Sequence, residues 1–339
     1  EPHQDVVVTL STNGYIKRIP LTTYRLQHRG GKGVKGQTLR EEDAIRFLVV
    51  GDTHDTLLFF TDRGRAYPLK GYEVAPDTTR TARGTPVANL VPLEEGEKVT
   101  SLLTVPSLSM EGSLLLGTQK GEVKRLPLHS LVGLRRSGLR VMDLEEGDTL
   151  VSTHLCSPED HALGVTQRGR ALHFPVAQVP LRSRAAGGVR GLRLRPGDAV
   201  IPFEAVVPGG HLLTLTQKGF GKRTPLEEFP VHRRGGRGVI ACTTAGKPGP
   251  VAVARIVGQD HELLMVSAQG MVCRSPLQEI RVLHRASQGV TVMRLDPGDR
   301  LVSAALLLGT HPSGPEKPQE KGPGPTSPDR QRGADDPHP

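Results

Sequence analysis

The chain has 339 residues and carries 44 Lys plus Arg against 35 Asp plus Glu, a net charge of +9 that points to a polyanionic partner. It contains no run of about 18 apolar residues and no basic amphipathic helix with a Trp or Phe face, so no membrane partner is expected and nucleic acid is the favoured polyanion. Cys156, Cys242 and Cys273 are odd in number, widely spaced and in no Cys-x-x-Cys pair, which speaks against a disulfide framework or a zinc site, and no cofactor is expected.

Glu1 to Leu10 has no basic stretch leading into an apolar core and does not read as a secretory signal. A cytoplasmic, nucleoid-associated location is expected, and the missing initiator Met reads as a trimmed or partial chain. From here the sequence repeats. Ser11-Thr-Asn-Gly14, Thr61-Asp-Arg-Gly64, Thr118-Gln-Lys-Gly121, Thr166-Gln-Arg-Gly169, Thr216-Gln-Lys-Gly219 and Ser267-Ala-Gln-Gly270 share one pattern, with the glycines 48 to 57 residues apart.

Each glycine follows a short apolar run such as Val6-Val-Val-Thr-Leu10 or Thr56-Leu-Leu-Phe-Phe60 and precedes a mixed run containing proline. This predicts a β-hairpin with glycine at the positive-φ turn position. Pro20, Pro68, Pro127, Pro175, Pro225 and Pro276 end the ladder, having no N–H to donate. A second turn signal recurs at Glu94-Glu-Gly-Glu97, Glu145-Glu-Gly-Asp148, Arg195-Pro-Gly-Asp198 and Asp296-Pro-Gly-Asp299.

Two hairpins per unit predict four strands, the size of a propeller blade. The expected fold is all-β, a six-bladed β-propeller or β-pinwheel disc of four-stranded blades, over about 5–53, 54–110, 111–157, 158–208, 209–259 and 260–309. A closed ring is favoured over an open stack or two three-bladed halves, because closure removes exposed edges. Residues 310–339 are expected to form a disordered tail, since His311 to Pro339 has eight prolines and no aliphatic or aromatic side chain larger than Ala.

Fifteen residues after the hairpin glycine stand Arg29, Arg136, Arg184, Arg234 and Arg285, with Arg80 one place later in the second unit. A fixed offset in a cyclic repeat is a fixed place on the disc. The surrounding loops mix Arg, Lys, Gly and Ser and add Arg83, Arg190 and Arg237 as rim candidates. Glycine lets the backbone approach a phosphate, and Arg makes charge-assisted bonds to its oxygens. One such loop is readily a solvated turn, whereas six in register read as a basic belt. Only seven Phe, four Tyr and no Trp occur, so single-strand and RNA binding by base stacking is poorly served. Double-stranded DNA held by its phosphates and bent around the belt fits better.

The heptapeptide Gln27-His28-Arg29-Gly30-Gly31-Lys32-Gly33 resembles the gyrase A-box, Gln-Arg-Arg-Gly-Gly-Lys-Gly, at six of seven positions. Asp5 to Ser11 and Gly14 to Arg18 resemble the start of the same family's C-terminal domain, and the repeat resembles its six-bladed pinwheel over about 5–309. The resemblance implies a domain that wraps DNA with positive handedness, so that the full type IIA topoisomerase introduces negative supercoils. It also implies two protein partners, the breakage-reunion region of the gyrase A chain and the whole gyrase B chain. His28 departs from the family's Arg and makes that contact weaker or pH-dependent. His232-Arg-Arg-Gly-Gly-Arg-Gly238 is a box-like copy in the fifth unit.

No Gly-x-x-x-x-Gly-Lys-Ser/Thr phosphate loop is present, and none of Tyr15, Tyr24, Tyr67 or Tyr72 lies in a DNA-cleavage motif, so catalysis by this chain alone is not expected. Two rivals remain. The corresponding domain of topoisomerase IV lacks an intact box and has fewer or irregular blades. A propeller serving as a protein-interaction platform would carry an apolar or aromatic patch at the ring centre, which the low aromatic content disfavours.

Overall fold

In the computed structural model, residues 1–24, 38–40, 44–77, 83–258 and 261–308 are described. The heptapeptide Gln27 to Gly33, Arg80 and the tail expected at 310–339 lie outside the described residues.

The six predicted hairpins form. Their glycines all sit in the left-handed region, from φ +71° at Gly64 to +96° at Gly121. Pro20, Pro127, Pro175, Pro225 and Pro276 are the last residues of their strands, while Pro68 lies inside Arg65–Lys70. A short 3-10 turn follows in each of the last five units, at Gly71–Glu73, Leu128–Leu131, Val176–Gln178, Leu226–Glu228 and Leu277–Glu279.

Six four-stranded antiparallel sheets make the blades of the propeller. In blade 1, Asp5–Ser11 pairs with Tyr15–Pro20 on one side and with Ile45–Asp52 on the other. Its fourth strand, Thr85–Pro86, comes from the next unit and pairs with Tyr15 and Ile16. The same exchange recurs: Leu139–Arg140 completes blade 2, Val189–Arg190 blade 3, Val239–Ile240 blade 4 and Val290–Thr291 blade 5. Blade 6 receives Thr38–Arg40 from the first unit, which closes the ring.

The second turn signal therefore does not make a second hairpin within a blade. It carries the chain from the outer edge of one sheet to the innermost strand of the next. Its acidic residue locks it to the first hairpin: Asp148, Asp198 and Asp299 each accept a backbone N–H from that hairpin at 3.0 Å, from Lys120, Arg168 and Gln269.

The third strands, Ile45–Asp52, Val99–Val105, Leu150–Cys156, Val200–Ala205, Val251–Val257 and Leu301–Leu308, touch one another all the way round and line the axis. Strand alternation sends opposite faces into opposite seams. Val6, Val8 and Leu10 pack toward blade 2 with Leu57 and Phe59, while Val7 faces the other way. Leu58 and Phe60 join Leu114, Leu116 and Leu126 of blade 3. Both faces of every blade are buried, so the strands read as continuous apolar runs, each fully buried side chain stabilising by roughly 1.5–3 kcal/mol.

One stretch of the axis is charged. Glu204, 4% exposed, lies between His154 at 2.5 Å and Arg255 at 3.2 Å, contributed by three consecutive blades.

Candidate nucleic-acid interface

Among the described residues, the basic loops of the third to sixth units lie on the circumference because of the strand exchange. Each of these runs from the 3-10 turn of its own blade to the short strand that it lends to the preceding one, and so spans a seam on the outside of the ring. Just before the loop, a parallel bridge ties it to the preceding blade's outer edge, as in Arg125 to Leu181, His173 to Val231 and Arg223 to Val282.

The candidate arginines fall into two groups. Arg136 forms an ion pair with Glu73 of the preceding blade. Arg234 donates from Nε to the Gln178 carbonyl at 2.8 Å and from Nη1 to the Arg190 carbonyl at 2.6 Å. Arg285 donates from Nη1 to the Ile240 carbonyl at 3.1 Å, while its backbone N–H donates to Glu228 at 2.9 Å. Thus three of the residues fifteen places after the hairpin glycine stitch one blade to the one before, and their register has a structural reason. Arg83 lies with its guanidinium carbon 4.3 Å from the centre of the Tyr15 ring.

Arg184, Arg190 and Arg237 are exposed, and their guanidinium groups make no hydrogen bond or ion pair among the described residues. Arg233, which the sequence marks only as part of the box-like copy, is also exposed and unbonded among the described residues. In the box-like copy at 232–238, Gly235 and Gly238 adopt φ of +87° and +77°, and the loop with Leu172 lines a shallow concavity. There Arg234 is tied down while Arg233 and Arg237 on either side project free.

Sequence reasoning missed the residues that hold these loops. Lys124 is fully buried, and its Nζ donates to the carbonyls of Ala186 at 2.7 Å, Ser183 at 2.9 Å and Arg184 at 3.2 Å on the next blade's loop. Lys222 does the same to Arg285 at 2.6 Å and His284 at 2.8 Å. Burial pushes both ammonium groups down to about 8, with Arg182 and Arg285 respectively adding to the effect and nearby Asp143 or Cys242 and Glu228 opposing it. Next to them, Arg125 donates from Nε to Val179 at 2.6 Å and Arg223 to Ile280 at 2.8 Å. The available signal was a lysine three places after the hairpin glycine in alternate units, Lys17, Lys124 and Lys222.

Cys156, Cys242 and Cys273 are buried and unpaired. Among the described residues no group of three His, Cys, Asp or Glu could hold a metal ion, and no helix is long and apolar enough to cross a membrane.

A family described as DNA gyrase C-terminal domain, beta-propeller, matches residues 5–51, 55–106, 112–157, 160–206, 210–252 and 261–307. The DNA gyrase A chain of Dehalogenimonas lykanthroporepellens is 42% identical over 313 residues, covering 91% of this chain and 38% of that protein. The DNA gyrase A chain of Halalkalibacterium halodurans is 45% identical over 306 residues, covering 90% and 37%. The chain therefore spans little more than a third of the length of these relatives. Among solved structures, a DNA gyrase A C-terminal domain superposes with a TM-score of 0.73 at 25% identity over 90% of this chain and 100% of that one. The C-terminal domain of a DNA topoisomerase IV superposes with a TM-score of 0.75 over 91% and 94%; at 24% identity this is a likeness of fold alone.

Proposed function

Since this chain belongs to the DNA gyrase C-terminal domain family, whose members are β-propellers, we propose that it binds double-stranded DNA by its phosphates and wraps it around the rim. The observation that carries this reading is the set of exposed, unbonded guanidinium groups of Arg184, Arg190, Arg233 and Arg237 on the convex circumference of a closed ring. Contacts to phosphate are indifferent to sequence, and a duplex following a curved row of them is bent. No nucleophile or nucleotide site enters this reading. The chain works as the wrapping part of a gyrase in the cytoplasm, alongside the breakage-reunion region of the gyrase A chain and the gyrase B chain, and the positive wrap becomes negative supercoiling through the full enzyme.

The heptapeptide Gln27 to Gly33 is the segment we assign to fixing the wrap, with Arg29 and Lys32 as its cations. Arg83, Arg136 and Arg285 belong to the same belt but act chiefly on the seams, which keeps the loops where the duplex meets them. The test is to religate nicked circles in the presence of the chain and read the linking number. A positive shift is expected, reduced to baseline by neutralising Arg29 and Lys32 together while duplex binding persists. Binding without any shift in the unmodified chain would show attachment without wrapping.

A further inference from the structure

Among the described residues, the basic loops of the second to sixth units are preceded by an apolar side chain in water. Leu181, Val231 and Val282 occupy the same place, twelve residues after the hairpin glycine, and are 54%, 52% and 47% exposed. Pro76 holds this place in the second unit and is exposed, and in the third, where Gly133 holds it, the neighbouring Val132 is 58% exposed. Single exposed apolar residues need no explanation, but the same one in successive repeats does. The fold does not supply it. The parallel bridge at this place is made by backbone atoms and does not itself call for an apolar side chain.

The neighbours of these side chains identify what covers them. Leu181 is followed by Arg182 and Arg184, Val231 by His232 and Arg233, and Val282 lies between Arg281 and His284. Protein-binding patches exclude charge from their centre. Here a basic side chain stands within two positions of Leu181, Val231 and Val282, and Arg135 stands three after Val132. A duplex presents that alternation in its own backbone, where apolar deoxyribose faces lie between phosphates.

We infer that Val132, Leu181, Val231 and Val282 form a row of contacts to the sugar faces of the wrapped duplex, giving the wrap a component that salt does not screen. The inference rests on the DNA reading above and adds a distinct kind of contact to it. Because log K falls linearly with log salt, its value extrapolated to 1 M isolates whatever counterion release does not supply.

The test measures duplex affinity from about 50 to 200 mM salt, where counterion release changes affinity by orders of magnitude. It compares the unmodified chain with the triple variant Leu181→Ser, Val231→Thr, Val282→Thr, whose positions are exposed and whose threonines keep the shape of valine. The slope is expected to stay the same while the extrapolated affinity falls about tenfold. The enlarging pair Val231→Leu, Val282→Leu is expected to raise it. An unchanged extrapolated value, or a change confined to the slope, would overturn the inference and return the row to a protein partner or to positioning the arginines. Absence of duplex binding by the unmodified chain would instead overturn the DNA reading and this inference together.

Discussion

Lys124 Nζ lies 2.7 Å from the carbonyl oxygen of Ala186, a residue 62 positions later on the loop of the next blade. The ammonium is fully enclosed, yet it sets the path of a loop that carries Arg184. Replacing it with methionine keeps the length and removes the donors. Each buried carbonyl left without a partner costs about 1–3 kcal/mol. Lys124→Met is therefore expected to lower stability by on the order of 3 kcal/mol in urea denaturation and to weaken duplex binding from a place that the duplex cannot reach. Lys120→Met, where the exposed Nζ reaches only the Glu146 carbonyl, should stay within about 0.5 kcal/mol.

Acid should act through Glu204. Burial pushes its carboxyl up, but His154, Arg255 and the Ile256 N–H outweigh burial and leave it at about 2, against 4.5 for the free group. A carboxyl held below its free value stabilises the fold above about pH 4.5, and that contribution is lost as the pH falls through about 2. The gap is worth about 3 kcal/mol. Denaturation midpoints between pH 6 and 2 should fall accordingly. Glu204→Gln should flatten that dependence and lower stability at pH 6, because it strands Arg255 and His154 without their counter-charge.

The arginines of the box-like copy should separate by their bonding. Arg233→Gln with Arg237→Gln is expected to reduce the salt slope of duplex binding by about 1.8, from ~0.9 per phosphate, with stability unchanged within about 0.5 kcal/mol. Arg234→Gln breaks two bonds across the seam and should cost about 1–2 kcal/mol of stability with a smaller change in slope. Fluorescence anisotropy over a salt series, paired with denaturation, reads both. Equal behaviour of the three would mean that their bonding is irrelevant to their role.

Glycine is required unequally at positions of similar backbone angle. Gly219 has φ +85°, and an added Cβ would overlap the Met293 carbonyl oxygen, whereas Gly298 has φ +82° with open space around it. Gly298→Ala should cost about 1–2 kcal/mol, from backbone conformation alone. Gly219→Ala should cost a further 1–3 kcal/mol or so, because the atom it meets belongs to the backbone. Similar melting behaviour for the two would refute the crowding argument.

The hairpins were legible because each declares itself within about ten residues, through Ser/Thr-x-x-Gly and a proline. The exchanged strands were not. Thr85–Pro86 and Leu139–Arg140 are two residues long and carry no alternation to read, and each pairs with a strand one unit earlier. At the rim, the fixed offset of Arg136, Arg234 and Arg285 was plain in the sequence, but the Gln178, Arg190 and Ile240 carbonyls are backbone atoms and leave no mark in residue identity. A register that suggests a surface also suits a seam, and only the packing of successive blades tells them apart.

The borrowed strand that closes the ring also sets an order of assembly. Arg40 pairs with Met271, a residue made 231 positions later. At about 5–20 residues per second, the earliest outer strand leaves the ribosome on the order of ten to fifty seconds before its partner. Blades 1 to 5 each gain their edge from the unit synthesised immediately after them. The last seam alone joins the oldest part of the nascent ring to the newest, so it is the joint that a slow or paused translation leaves open longest.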